Sequence, residues 1–176
     1  MDWYKLSKAK NDKKCAFIAA LMPKSFYKKY SHIEDLGDDL HMTILYIEDF
    51  EDKDGDRDKI LKAVKRVANK HTPIQCKTTA LGVMGNDSKT FVVNINIENG
   101  AEFYSELVKE VEKEWHEFER EYDFLPHVSL NYQKGEKEFS SEEFKDFSWT
   151  IDKIAVSFNH DDSTREWVEL KGKKSG

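Results

Sequence analysis

The sequence is short of cysteine, of arginine and of long apolar runs, and each shortage removes a class of function. Among 176 residues there are two cysteines, Cys15 and Cys76, far apart and in apolar, strand-like surroundings. They do not make a disulfide framework, and they read as buried thiols of a reducing compartment. Arginine supplies four of the 28 basic residues, so an arginine-rich phosphate clamp is not expected. A net charge of −6 argues against a general nucleic-acid coat, whose affinity comes from neutralising phosphates, yet leaves room for a local basic cleft. No stretch approaches the ~20 apolar residues that span a bilayer. The run Cys15–Met22, behind a lysine-rich start, imitates a signal peptide, but it is at the lower limit of length and no small-x-small cleavage site follows. A cytoplasmic protein with no membrane association is expected, in the host cytoplasm if the source is viral.

Metal-ligand patterns are missing too. His160-Asp161-Asp162 has no second cluster to complete a site and reads as a loop. The acidic stretch 49–58 alternates Asp52, Asp54 and Asp56, but Arg57 and Ala63 stand where an EF-hand needs Gly and Glu. Neither a metal nor a cofactor is expected.

What is present is the material of one globular domain over 1–176: 39% hydrophobic and 12% aromatic residues suffice for a core despite 35% charged. Cys15–Leu21 reads as a buried strand ended by Met22-Pro23, and Lys24–Ser31 as a short helix. His41–Glu48 alternates as a strand does. Ile60, Leu61, Val64, Val67 and Ala68 recur at helical spacing. Strands are expected at Ile74–Val83 and Thr90–Ile97, joined by a turn at Gly85-Asn86-Asp87-Ser88. An amphipathic helix over Ala101–Phe118 carries the stripe Phe103, Leu107, Val111, Trp115 and Phe118. Strands at His127–Tyr132, Thr150–Phe158 and Trp167–Lys171 complete the chain. The order implies an α+β fold in two related halves, without a linker between independent domains.

Two segments carry chemistry: His41-Met42-Thr43-Ile44 and His127-Val128-Ser129-Leu130. Each is His-x-(Thr/Ser)-apolar in a strand. Strand alternation sends His41 and Thr43 to one face and Met42, Ile44 and Tyr46 to the other. It likewise gathers His127, Ser129 and Asn131 against Val128, Leu130 and Tyr132. Imidazole takes or gives a proton near neutrality. Two of them flanking one phosphorus can do both at once without a metal, while the two hydroxyls donate to the non-bridging oxygens.

These paired motifs, each in a strand, resemble those of the 2H phosphoesterase superfamily, which includes the 2′-5′ RNA ligase-like proteins and cyclic phosphodiesterases. The resemblance covers most of the chain; Ser129 stands where Thr is commoner and keeps the hydroxyl. It implies a bilobal fold of two pseudo-symmetric lobes, with two antiparallel sheets flanking a central cleft and helices outside. It also implies metal-independent catalysis by His41, His127, Thr43 and Ser129. The expected substrate is a small cyclic nucleotide or an RNA-end cyclic phosphate, with no obligatory protein partner. An alternative within the family is a phage counter-defence (anti-CBASS) nuclease opening cyclic di- or trinucleotides; a non-catalytic nucleotide or RNA-end binding module is the alternative from another class. Phe17, Asn131, Trp149 and Phe158 are the expected substrate contacts, although core packing is the default for each aromatic. Tyr46 and Tyr132 are expected to pack away from the histidines. His32, His71, His116 and His160 have no hydroxyl partner in register and are read as exposed or structural.

Overall fold

The computed structural model describes residues 14–48, 50–85, 89–115 and 124–172. Residues 86–88 of the expected turn and 116–118 of the expected helix, His116 and Phe118 among them, lie outside the described residues; the described helix ends at Glu114. Among those described, the elements are β1 (Ala16–Leu21), α1 (Lys24–Lys29), β2 (His41–Ile47), α2 (Asp56–Ala68), β3 (Ile74–Met84), β4 (Thr90–Ile97), α3 (Gly100–Glu114), β5 (His127–Gln133), α4 (Ser141–Phe144), β6 (Ser148–Ile151), β7 (Lys153–Phe158) and β8 (Asp161–Glu169).

The strands run β6-β3-β4-β5-β2-β1-β7-β8 across an eight-stranded sheet in which every pairing is antiparallel. The two sheets anticipated from the sequence are joined, because β2 and β5 meet through the register pair Met42↔Val128. A single residue, Asp152, carries the chain from β6 to β7, although these strands stand towards opposite ends of that order. The sheet must therefore curl until its ends approach one another. The result is a mixed α/β architecture built on one curled antiparallel sheet.

The helices cover the sheet because their apolar residues share a face. Helix α2 buries Ile60, Ala63, Val64, Val67 and Ala68, and α3 buries Phe103, Tyr104, Leu107, Val108 and Val111. These side chains join Met42, Ile44, Val128 and Leu130 in one contiguous core. Arg66 ties the two helices together: Nε donates to Glu110 Oε2 at 2.7 Å and Nη1 to Glu114 Oε1 at 2.7 Å. Hydrogen bonds from Arg66 and then Lys113 hold the Glu110 carboxyl far down, at about 2.

Three local features differ from the sequence reading. The expected strand Thr150–Phe158 is broken at Asp152, with one piece pairing β3 and the other pairing β1 and β8. Strand β8 begins at Asp161 because Asn159 and His160, both at φ 56°, make the tight two-residue turn that hairpin twist favours. Helix α4 is four residues long, too short to leave a periodic signal; the Ser140 hydroxyl caps it, and its fully buried Phe144 stacks on Tyr30 at 4.9 Å.

Candidate active site

The site is built around the β2–β5 junction. Met42 and Val128 are 1% and 0% exposed and point into the core. Their neighbours His41, Thr43, His127 and Ser129 therefore emerge on the opposite face. The pair Met42↔Val128 in antiparallel strands puts position 41 across from 129 and position 43 across from 127. His41 and His127 are thus diagonal neighbours, which in a regular pair stand about 7–8 Å apart. Each has a hydroxyl residue across the junction as well as one on its own strand.

Both rings are held in the same way. His41 Nδ1 lies 3.1 Å from the carbonyl oxygen of Asp39, and His127 Nδ1 lies 2.6 Å from that of Leu125. A carbonyl oxygen only accepts, so Nδ1 carries the hydrogen and donates in both cases. In the neutral ring Nε2 is then the nitrogen that can accept a proton. These carbonyl anchors, two residues before each histidine, were not found from the sequence, because a backbone acceptor leaves no residue-type signal.

Phe17 lies on this face beside His41, ring centroids 5.2 Å apart and edge to face at 89°. Tyr46 is also here, contrary to the alternation argument. Ile18 pairs with Leu45 but Ala19 pairs with Thr43, so β2 carries one extra residue at Ile44. A one-residue bulge reverses which side of the sheet the following side chains take. Tyr46 accordingly packs against Phe17 at 6.1 Å, and its hydroxyl shares a hydrogen bond with His160 Nε2 at 3.1 Å. Burial pushes the Tyr46 hydroxyl up and the His160 imidazole down, which keeps both neutral and suits that hydrogen bond. His160, read from the sequence as exposed or structural, is therefore linked to His41 through Tyr46 and Phe17. The adjacent apolar residues Ile44-Leu45, which interrupt the alternation, were the legible sign of the bulge.

Two expected substrate contacts are corrected. Trp149 is 8% exposed; its register partner Cys76 faces the core, and its ring stacks on Phe147 at 5.7 Å. Phe158 is 1% exposed, paired with the core residue Ala16 and stacked on Phe50 at 5.3 Å. Asn131 stays on the face of His127, but its Nδ2 donates to the Leu36 carbonyl at 2.8 Å. It packs against Gly37, whose φ of +90° and lack of a side chain admit the amide. Asn131 thus steadies the loop that presents Asp39 to His41.

A model of the 2′-5′ RNA ligase superfamily matches residues 11–162, which contain both histidine motifs. The chain belongs to that superfamily. Solved structures agree on the fold. TT0787 of Thermus thermophilus superposes with a TM-score of 0.67 at 16% identity, covering 90% of this chain and 99% of that one. Escherichia coli LigT complexed with 3′-AMP gives a TM-score of 0.60 at 12% identity, covering 90% and 96%. Kluyveromyces marxianus Usb1 with uridine monophosphate gives 0.58 at 10% identity, covering 91% and 99%. No curated protein matches the sequence. Membership of the 2′-5′ RNA ligase superfamily makes the chain a 2H-type phosphodiesterase, a hydrolase. Among the described residues no helix is long and apolar enough to cross a membrane.

Proposed function

We propose that this phosphodiesterase opens a 2′,3′-cyclic phosphate, on a nucleotide or an RNA end, by acid-base catalysis between His41 and His127 without a metal. The observation that carries the reading is the matched pair of Nδ1–carbonyl hydrogen bonds, which orients the two imidazoles alike on one face of the β2–β5 junction. One Nε2, neutral, takes a proton from the attacking water. The other, protonated, gives its proton to the ring oxygen as the P–O bond breaks. The product is a phosphomonoester with a free neighbouring hydroxyl, and the two imidazoles exchange protonation states for the next turnover. Thr43 and Ser129 donate hydrogen bonds to the non-bridging oxygens and keep water and leaving group in line. Phe17, beside His41, offers an aromatic surface to the base. The nucleotide ligands of the LigT and Usb1 structures support a nucleotide substrate.

The test is incubation in chelator with 2′,3′-cyclic mononucleotides, cyclic-ended RNA, and cyclic di- and trinucleotides, with products identified by mass. A single added water on the cyclic phosphate is the expected result, and rate against pH is bell-shaped because one imidazole must be neutral and the other protonated. Turnover that vanishes with chelator and returns with a divalent ion would overturn the mechanism. Turnover confined to the cyclic oligonucleotides would assign the counter-defence substrate instead.

A further inference from the structure

Strand β8 ends the strand order on one side, so its outer edge has no strand beside it. The register of β7 with β8 says which backbone groups that edge presents. Leu170 N–H donates to the Asp152 carbonyl at 2.9 Å, one step past the pair Lys153↔Glu169. Antiparallel pairs alternate, so Val168 and Leu170 turn their N–H and C=O groups to β7, and Trp167 and Glu169 turn theirs outward. Among the described residues these outward groups take no hydrogen bond. The open stretch ends at Lys171, whose N–H donates to the Ala68 carbonyl of α2 at 3.0 Å.

Side chains frame this edge from both faces of the sheet. Val168 is 5% exposed and joins Val64 and Val67 of α2 in the core, so Trp167 and Glu169 project from the opposite face. A cavity of about 570 Å³ is bordered by Lys153, Trp167, Glu169 and Lys171, and also by Lys65 and Asn69 at the C-terminal end of α2. Residues from both faces can meet around one space only where the sheet stops. The cavity is therefore a slot beyond β8, in the plane of the sheet. At about 4.8 Å between strands, about 10 Å between layers and about 3.4 Å per residue, it holds roughly three residues of an added strand. Lys65, Lys153 and Lys171 have no ion pair among the described residues. Glu169 is the one carboxylate on the border, although the chain as a whole is acidic. Trp167, 43% exposed with the Lys153 ammonium 4.3 Å from its ring centroid, adds an apolar surface.

We propose that the outer edge of β8 receives an extended acidic segment of a partner protein as a ninth strand of the sheet. The backbone of that segment bonds to the outward groups of Trp167 and Glu169, the mode by which exposed sheet edges take up peptides. Its acidic side chains meet Lys153 and Lys171 on one face and Lys65 on the other, and an apolar residue pairs with Trp167. Charge selects this occupant. Residues 1–13 hold four lysines against two aspartates, and Lys173 and Lys174 follow β8, so the chain's own ends share the sign of the slot. The nine residues of a second copy's β8 exceed the roughly three that the slot holds. Lysines along an edge also oppose pairing with unselected strands. The surface is independent of the histidine chemistry.

The experiment uses the full chain and a dye-labelled peptide of four Glu-Val repeats, with four Lys-Val repeats as the charge control. Fluorescence anisotropy at two salt concentrations gives affinity, and amide hydrogen exchange of the isotope-labelled chain gives the place of binding. The Glu-Val peptide is expected to bind, less tightly at the higher salt, and the Lys-Val peptide not to bind. Protection should rise at the Trp167 and Glu169 amides and stay unchanged at Val168 and Leu170, whose N–H groups already face β7. The double substitution Lys153→Gln with Lys171→Gln should weaken binding about 2- to 30-fold, the range for losing two exposed ion pairs. Failure of the Glu-Val peptide to bind, equal binding of the Lys-Val peptide, or binding that leaves Trp167 and Glu169 unprotected would overturn the proposal. Protection already present in the free chain would give the edge to one of its own termini, or to a second copy if it grows with concentration, and either result overturns it too.

Discussion

Tyr46 and Tyr132 each stand five residues after a motif histidine, yet they finish on opposite sides of the sheet. Tyr132 is 6% exposed, packs on Phe139 at 5.2 Å and accepts a hydrogen bond from Lys137 Nζ at 3.1 Å. Tyr46 instead shares the histidine face with Phe17 and His160. The cause is arithmetic in the register. Strand β2 gains one residue against β1, between Thr43 and Leu45, and one residue reverses the side-chain alternation. Strand β5 gains two against β4, between Ser129 and Gln133, and two residues restore it. The two motifs therefore share their rings, hydroxyls and carbonyl anchors but not their walls. The polar groups are duplicated, while the aromatic wall of Phe17 and Tyr46 stands on the His41 side.

The largest expected effect tests the duplicated part. Replacing either His41 or His127 with Ala should lower turnover ~10²–10⁴-fold. The double variant should lose much less than the product of the two, since groups acting as one unit are not additive. Initial rates on a cyclic mononucleotide, with melting temperatures alongside, check this; full activity in either single variant would make its motif structural.

The second expectation separates the walls. Tyr132→Ala removes a core aromatic and should cost ~3 kcal/mol of stability, read from denaturant midpoints. Tyr46→Ala should cost less stability and raise KM, because that ring stands on the substrate's side. Equal stability losses with equal KM values would erase the distinction that the bulge creates. Smaller still, Thr43→Ala and Ser129→Ala should each lower kcat/KM by ~1–3 kcal/mol, the loss of one hydrogen bond to a charged group. Similar losses in both would support equal hydroxyl roles on the two strands.

The smallest effect lies outside both strands and serves as a control on the helical scaffold. The folded-state value of Glu110, about 2, lies below its ordinary 4.5. Its stabilisation is therefore complete above about pH 4.5 and lost as the pH falls through about 2. Glu110→Gln should flatten the fall in melting temperature across that window, and an unchanged acid profile would mean the Arg66–Glu110 link contributes nothing.

Much of this was legible in the residues. Alternation located β2 and β5, helical spacing located α2 and α3, and the repeated His-x-(Thr/Ser) pattern singled out His41, Thr43, His127 and Ser129. These features depend on neighbours in the chain, so local sequence determines them: a side chain's face follows from its parity, and a helix's buried stripe from its spacing. Pairing decided the rest. Trp149 and Phe158 have the composition of base-stacking residues, but their partners Cys76 and Ala16 turn them into the core. The break at Asp152 and the exchange of faces at Tyr46 both depend on which strand lies alongside which, and in what register. Strand identity is a property of a few consecutive residues, whereas register is set by partners up to more than a hundred residues away. Only the folded sheet, curling until β6 runs into β7, brings those partners together.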